Sequence, residues 1–345
     1  MTILVTGATG LIGCHAVAEL LSAGHAVRAL VRDAEKLDRV LAPLGHACRD
    51  LEVIQGELND QAGLMRALGG CTGLLHCAGR FSPDRADAAM LWETNVEGTR
   101  YVLEAGRSAG VERAVYVSSI LALFPPAGPS LTAADPVTTP AEMYASTKAE
   151  AERAARAAQS EMPLTIVYPA AVQGPHDPTF SVGPQLVADA LRNGRVLVTE
   201  GGLPSTDVRD LVTLIRCVFE GAATSTRLMA PSFFVRHDRY HALLESLTGR
   251  RLGAQRLPGS VLRWMGRFGD LAQRFGRPVQ LTSEAAAVLT RSVPVQDEEA
   301  RGLLGRSAID AERSFRDLIR WMVEAGHLEA ADAGRVVTGE PEDGR

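Results

Sequence analysis

A chain of 345 residues, 46% hydrophobic and 22% charged, has material for a sizeable core in one large domain or two intimately packed ones. A formal charge of −5 leaves no basic footprint for nucleic acid, and five scattered cysteines without a C-x-x-C pair exclude a disulfide framework or a zinc site and read as reduced thiols. No apolar run approaches the length of a membrane span, and no basic segment precedes the first apolar run, so the expectation is a cytoplasmic protein with no signal peptide and no membrane partner.

Ile3-Leu4-Val5-Thr6 predicts a short buried strand, followed by Gly7-Ala8-Thr9-Gly10-Leu11-Ile12-Gly13 and a helix that stops at Gly24. Strand, glycine turn and helix in that order form the context of a dinucleotide fingerprint. The glycines permit a tight turn, and backbone N–H groups at the helix start can meet a pyrophosphate. The second strand, Ala26 to Val31, ends in Arg32-Asp33. An acid at this strand end would bind a ribose 2′-hydroxyl, whereas arginine suits a 2′-phosphate. Arg32 in the acid's place, with Lys36 one turn later, favours NADP over NAD; a shift of one residue would restore an acid through Asp33.

Glu52 to Gly56 and Gly73 to Cys77 predict the third and fourth strands, and Ala114 to Val117 the fifth, ending in Ser118-Ser119. A helix over 86–109 carries Asn95. His76, within the fourth strand, reads as a bonded core histidine. Strands alternating with helices predict a doubly wound, Rossmann-type parallel α/β sheet. A proline-rich stretch from Ile120 to Pro140 leads into a helix holding Tyr144-Ala145-Ser146-Thr147-Lys148 and running to about Gln159, and the sixth strand, Leu164 to Tyr168, stops at Pro169. The chain has only two lysines, Lys36 and Lys148, and five tyrosines, so a Tyr-x-x-x-Lys pair arises by chance with a probability of about 0.03. Four residues apart on a helix, the two side chains share a face, and the ammonium can bring a phenol's pKa down from about 10.

Beyond residue 173 the pattern loosens. Val208 begins a helix returning to the sheet, Phe233 to Val235 predict a strand, and Val261 to Phe275 alternate apolar residues with arginines. That last segment could rest on a membrane surface, but its two glycines weaken it as an independent anchor and favour a helix covering a pocket. The predicted organisation is a dinucleotide-binding domain over 1–172 and about 207–230, a substrate-binding region over 173–206 and 231–330, and a flexible tail over 331–345. Gly106-Arg107-Ser108-Ala109-Gly110 matches a nucleophile elbow in spacing but follows a helix where that motif needs a strand. His237 and His241, spaced by four, lack the adjacent glutamate and third ligand of a metal site. No phosphate-loop lysine pattern occurs.

Taken together these motifs resemble the short-chain dehydrogenase/reductase superfamily, in its extended, epimerase/dehydratase-like branch. The carriers are Gly7, Gly10 and Gly13; Asn95-Val96-Glu97-Gly98-Thr99; Ser118-Ser119; Tyr144 and Lys148; and Pro169 through Gly174-Pro175. Within that branch, Val27 to Asp33, Gly70 to Gly73 and Ile166 to Pro175 resemble dihydroflavonol reductase-like and aldehyde reductase-like enzymes. The similarity covers about residues 1–220. It implies Tyr144 as proton donor to a substrate carbonyl, Lys148 as the cation that depresses the tyrosine pKa and meets the nicotinamide ribose, and Ser119, 25 residues before Tyr144, as hydrogen-bond partner of the substrate oxygen, with Ser118 as the fallback. It also implies cofactor contacts from Gly7, Thr9, Gly10, Leu11, Ile12 and Gly13 at the pyrophosphate and from Arg32 and Lys36 at a 2′-phosphate. Glu57 and Leu58 would flank the adenine, Cys77, Ala78, Gly79 and Val117 would line the trough, and Pro169 and Val172 would pack near the nicotinamide.

Two departures from the branch stand out: Glu57 where aspartate is usual, and Tyr168 where arginine usually precedes the proline. The chain also lacks the Arg-x-aromatic-x-Tyr-Val-x-Asp stretch of sugar-nucleotide epimerases, which favours an apolar carbonyl substrate over a nucleotide sugar. Phe81, Phe124, Phe180, Trp264 and Phe268 are candidates for an aromatic lining. The expected activity is NADP(H)-dependent reduction of a ketone or aldehyde, or oxidation of the alcohol. The alternatives are an epimerase or dehydratase with bound NAD, a hydroxysteroid dehydrogenase, and an NADP-binding regulator without chemistry. The expected partner is a small molecule, and relatives often form homodimers through helices like those at 86–109 and 142–159.

Overall fold

The computed structural model describes residues 1–338 apart from 83, 276, 278, 280 and 292. In chain order the elements are β1 (Thr2–Thr6), α1 (Leu11–Ser22), β2 (Ala26–Val31), α2 (Ala34–Leu41), β3 (Glu52–Gln55), α3 (Gln61–Leu68), β4 (Gly73–His76), α4 (Ala88–Trp92), α5 (Gly98–Ala109), β5 (Arg113–Val117), α6 (Met143–Ala158) and β6 (Leu164–Tyr168). They continue with β7 (Ala171–Gln173), α7 (Val182–Asn193), β8 (Arg195–Val198), β9 (Gly202–Asp207), α8 (Val208–Phe219), β10 (Arg227–Met229), β11 (Phe233–Arg236), α9 (His237–Thr248) and β12 (Gly253–Arg256). The last are α10 (Gly259–Arg274), α11 (Ser283–Leu289), α12 (Glu298–Leu303), α13 (Ala311–Glu324), α14 (Ala330–Ala333) and α15 (Arg335–Thr338).

The chain divides into two compact units. The first comprises residues 1–170, 208–232 and 294–308. Its seven strands run parallel in the order β10-β6-β5-β4-β1-β2-β3. Strands covered by helices on both faces read as unbroken apolar runs, and Ile3, Leu4 and Val5 are fully buried in β1, as are Leu74 and Leu75 in β4. The strand order reverses direction at β1, between β2 and β4, so the loops after β1 and β4 open at the switch point where such sheets bind ligands.

Between α4 and α5 the chain makes a π-helical turn over Glu93–Glu97, where a single helix over 86–109 was expected. Apolar periodicity does not register one extra backbone residue, so the sequence pattern runs straight through. Residues 294–308, expected in the substrate-binding region, belong to this first unit. Leu131 bridges Val295, and the Asp297 carboxylate accepts the Ser232 N–H at 2.5 Å.

The second unit comprises residues 171–207, 233–293 and 309–345. It holds a mixed sheet in the order β11-β9-β7, a parallel β12–β8 pair and a core that includes Val187, Leu191, Leu244, Phe315, Leu318 and Trp321. The expected flexible tail is corrected over residues 331–338. Ala333 and Val336 are buried in that core, and Arg335 donates to the Ser246 carbonyl at 2.9 Å. Two apolar residues among polar neighbours are too sparse a pattern to show this from sequence. Residues 339–345 lie outside the described residues.

His76 has the bonded core position expected of it. Nδ1 meets Thr6 Oγ1 at 2.7 Å, Nε2 meets Thr99 Oγ1 at 3.0 Å, and the ring stacks on Tyr116 at 5.4 Å. Burial, reinforced by the Lys148 charge, pushes its pKa from 6.5 down to about 3. The unfolded chain therefore binds a proton here below pH 6.5 while the fold does not until about pH 3. This group's contribution to stability is complete above the upper value and is lost as pH falls toward the lower one. Urea titrations at stepped pH should show the acid-side decline of unfolding free energy made shallower in His76→Gln, by up to about 1.4 kcal/mol per pH unit. Unchanged slopes would mean that the folded protein already carries the proton.

Candidate active site

The turn after β1 shows why each glycine stands where it does. Gly7 has φ +78°, and a Cβ there would fall 2.6 Å from the backbone nitrogen of Ala78. At Gly13 a Cβ would lie 2.1 Å from the Gly7 carbonyl oxygen. These two let β1, the start of α1 and the strand end at Ala78 close on one another. Gly10 differs: a Cβ there would make one ordinary contact, at 3.5 Å, so no protein atom forbids a side chain. Gly10 is the N-cap of α1, where no side chain bonds the first N–H groups and the first turn holds no acid. A helix N-terminus left open beside a residue without a side chain fits the pyrophosphate of a dinucleotide.

On α6 the inward face carries Ala145, Lys148, Ala149, Glu152 and Ala155, the i, i+3, i+4, i+7 spacing of a buried helix stripe. The small alanines bring the helix close to β5 and β6 and carry two charged groups into the interior. Lys148 is buried, and Nζ donates to Tyr116 Oη and to the Val117 carbonyl, each at 3.2 Å. Burial pulls its pKa below the ordinary lysine value, while the Tyr144 and Glu152 charges pull the other way. Tyr144, one turn earlier, is half-buried and packs edge-on against Phe81, with ring centroids 4.9 Å apart.

The two serines at the end of β5 part company. Ser118 is buried and its Oγ donates to Glu152 at 2.7 Å. Ser119 accepts the Leu121 N–H at 3.2 Å and caps the short turn that follows. A hydroxyl that accepts in this way keeps its own proton to donate. Glu152, fully buried, also accepts from Tyr168 Oη at 2.5 Å and from Arg156 Nε at 2.7 Å. Tyr168, at the position where the branch usually has arginine, is thus a phenol bonded to Glu152, and the guanidinium on that carboxylate comes from α6. Burial and the Glu152 charge both push the Tyr168 pKa up, which keeps it a donor.

Asn95, at the centre of the π-helical turn, accepts the Arg80 N–H at 2.8 Å and donates to the Arg80 carbonyl at 2.9 Å and to Thr147 Oγ1 at 3.0 Å. It ties the loop after β4 to α6 between Tyr144 and Lys148, as a π-turn near a functional site often does. The roles of Asn95, Tyr116, Thr147 and Glu152 went unassigned in the sequence. Glu152 follows Lys148 by four residues, a spacing that ordinarily marks a solvated surface pair. Asn95 alone had a signal, the Asn95 to Thr99 motif.

At the other end of the turn, Arg32 is exposed just beyond β2, and its carbonyl accepts from Gln55 Nε2 at 3.1 Å. Asp33 is the N-cap of α2 and accepts the Lys36 N–H at 2.9 Å. Glu57 is exposed and Leu58 half-buried after β3, with Leu58 against Gly98. Cys77 donates to the Thr6 carbonyl at 3.0 Å, and burial pushes its thiol up to about 12. Pro169 is buried, its carbonyl accepting the Ile120 N–H at 3.1 Å, whereas Val172 lies on β7 in the second unit. Among the described residues no group of three His, Cys, Asp or Glu could hold a metal; His237 bonds Thr199 and His241 the Leu252 carbonyl.

The aromatic lining is corrected at Phe180. Phe180 stacks on His327 with centroids 4.1 Å apart and packs on the second unit's core. Phe81, Trp264 and Phe268 are 54%, 59% and 51% exposed, so burial assigns none of the three to a core. Aromatic composition does not distinguish a pocket wall from a core or a surface.

The family model for the NAD-dependent epimerase/dehydratase family matches residues 3–227. The chain belongs to that family. A putative dihydroflavonol 4-reductase of Synechocystis sp. is 34% identical over 212 residues, 60% of either chain. Sterol demethylase protein B of Methylococcus capsulatus is 28% identical over 338 residues, covering 95% of this chain and 100% of that one. Among solved structures, that of gox2253 is similar at a TM-score of 0.78 with 27% identity, covering 95% of this chain and 99% of that one. These place the protein in the extended branch of the short-chain dehydrogenases/reductases, an NAD(P)-dependent oxidoreductase whose glycine turn fits that cofactor.

Gly10 and Gly13 should separate in measurement. Gly13→Ala is expected to cost about 1–3 kcal/mol of stability through overpacking against backbone. Gly10→Ala should cost no more than about 1 kcal/mol, the difference between glycine and alanine at an N-cap, yet weaken NADP(H) binding at least about tenfold. Thermal melts with and without cofactor read both effects, and a full cofactor-induced shift in Gly10→Ala would remove the pyrophosphate from this turn.

Proposed function

We propose that the protein is an NADP(H)-dependent reductase of a ketone or aldehyde on an apolar substrate, acting in reverse on the corresponding alcohol. The observation that carries this reading is the buried ammonium of Lys148, one helical turn from Tyr144. An isolated ammonium is costly to bury, and a structural role would be met as well by an apolar residue. Its use is electrostatic: it favours the ionised form of the Tyr144 phenol, so that Tyr144 gives up its proton near neutral pH.

NADPH, when bound, supplies a hydride to the carbonyl carbon. Tyr144 gives its proton to the carbonyl oxygen, and Ser119 donates a hydrogen bond to that oxygen as negative charge develops on it. Ser118 is excluded as the donor because its proton is committed to Glu152. Hydride at carbon and proton at oxygen together make the alcohol.

NADP is favoured at the adenosine end because the Asp33 carboxylate is engaged in capping α2. That leaves Arg32 and Lys36 as the side chains for a 2′-phosphate. The Phe81 ring against Tyr144 supports an apolar substrate, as does the full-length similarity to a protein named for sterol demethylation. That relative also supports a second substrate class, a fused-ring alcohol or ketone.

Steady-state NADPH oxidation over a panel of aldehydes, simple ketones and fused-ring ketones tests the reading. Tyr144→Phe should lower kcat by about 10²–10⁴-fold, and unaltered activity would sink the mechanism. Arg32→Ala should raise KM for NADPH by about tenfold, one charge-assisted phosphate contact, and leave NADH kinetics unchanged. An equal loss with both cofactors would return the specificity to NAD.

A further inference from the structure

The segment 250–277 carries seven arginines and a single acid, Asp270, a balance of +6 in a chain whose formal charge is −5. Within it lies α10, and its burial is inverted relative to an ordinary surface helix. The residues turned to the body of the unit are small. A Cβ on Gly266 would fall 2.6 Å from the Thr282 carbonyl oxygen, and one on Gly269 2.0 Å from that of Leu281. Leu262 beside them is 1% exposed. The glycines are therefore where α10 packs tightly against the segment leading into α11, not weak points in the helix.

The large side chains point the other way. Val261, Trp264, Met265, Phe268, Leu271 and Phe275 are 41%, 59%, 41%, 51%, 47% and 79% exposed. At 3.6 residues per turn they fall within an arc of about 120°. The Trp264 and Phe268 rings pack at a tilt with centroids 4.2 Å apart, extending this stripe as one surface. Arg267 is exposed along its border on the flank away from the packing glycines. Arg263 is exposed one turn earlier between that border and Gly266, its guanidinium sharing the space beside Gly259 with the Glu200 carboxylate. Arg251, Arg256 and Arg277 are exposed in the adjoining chain.

We propose that α10 seats the protein on an anionic lipid surface, its apolar stripe lying in the headgroup–acyl boundary and its arginines on the phosphates. A helix with Trp, Phe and Leu on one face and a cationic border is built to lie in the plane of a membrane interface, and cations held near an anionic leaflet add attraction that salt screens. A second copy of this chain would bring two such cationic segments together, so charge complementarity favours anionic lipid. Among the described residues no helix is long and apolar enough to cross a membrane; the contact is peripheral. A membrane partner would depart from the expectation of none, which rested on spacing; exposure gives the direction in which the stripe points.

The test uses the full-length chain in flotation with vesicles of pure phosphatidylcholine and of phosphatidylcholine with about 30% phosphatidylglycerol, at low and high salt. Binding to the anionic vesicles should exceed that to the neutral ones by at least about tenfold and fall with salt. Trp264→Glu/Phe268→Glu should abolish it, and Arg263→Gln/Arg267→Gln should weaken it several-fold, with circular dichroism confirming the fold of each. A measurement on the unmutated chain is independent of folding: tryptophan emission should shift to the blue on anionic vesicles and be quenched by brominated lipid, a response missing in Trp264→Phe. Absence of flotation on anionic vesicles overturns the proposal, as does equal flotation of the Trp264→Glu/Phe268→Glu variant. Loss of self-association in that variant without any vesicle binding would give the stripe to a second copy, and a changed KM without vesicle binding would make α10 a lid. None of these readouts requires turnover, so they stand or fall apart from the proposed reductase activity.

Discussion

A buried ammonium is the constraint around which the first unit is arranged. Lys148 reaches the interior because alanines on either side let α6 approach the sheet, and it is held there by the Tyr116 hydroxyl and the Val117 carbonyl. Apart from Glu152, the buried titratable groups beside it are kept uncharged. Burial holds the His76 ring neutral and the Cys77 thiol protonated, and the Tyr116 phenol is pushed well up, first by burial and then by Glu152. In such surroundings a compact ammonium acts on what lies next to it, and Tyr144 is one turn away. Arginine, which supplies nearly all the other positive charge in this chain, is a broad planar fork and not the compact point charge that lysine presents here.

The second charge on the inward face, Glu152, is satisfied by three donors, from Ser118, Tyr168 and Arg156. A buried carboxylate with its acceptor positions filled is a fixed point, and fixing Ser118 distinguishes it from Ser119. Asn95 does comparable work from the other side, its amide joining the loop after β4 to α6. The π-helical turn gives Asn95 its place. One extra residue in the helix turns the amide toward Thr147, at the expense of local helix regularity.

Much of this was legible in the sequence where a pattern has a single structural meaning. Short runs rich in apolar residues between turn signals put β1 through β6 within a residue or two of their observed bounds, because buried parallel strands admit little else. Only the edge strand β3, with Val53 and Ile54 half-buried, stands outside that reason. Tyr144 and Lys148 stood out for the rarity of lysine. What the sequence concealed is of another kind. A π-turn leaves apolar spacing intact, and a glutamate four residues from a lysine has the same pattern whether exposed or buried. The short helices over 330–338 owe their order to a core assembled from distant segments, and residues 294–308 return to the first unit by contacts no local window contains. Phe180 has the chemistry of a pocket wall, which its core position shares.

Glycine makes the same point most clearly, since one residue type serves three ends in this chain. Gly7 and Gly13 are small because backbone occupies the space a side chain would need, and Gly266 and Gly269 are small because α10 must approach the carbonyls of 281 and 282. In sequence, the last two read as a reason to discount α10 as an amphipathic surface; in the structure they are what leaves its apolar residues facing out. Gly10 fits neither account. Nothing in the protein stands where its side chain would be, its backbone does not need glycine's left-handed conformations (φ −97°), and alanine would fit. A position that the fold leaves free yet holds without a side chain, at the open N-terminus of a twelve-residue helix, is explained by a molecule that must come close to the backbone there. The free space where a Gly10 Cβ would stand ties the glycine turn to a dinucleotide more firmly than the spacing of three glycines does.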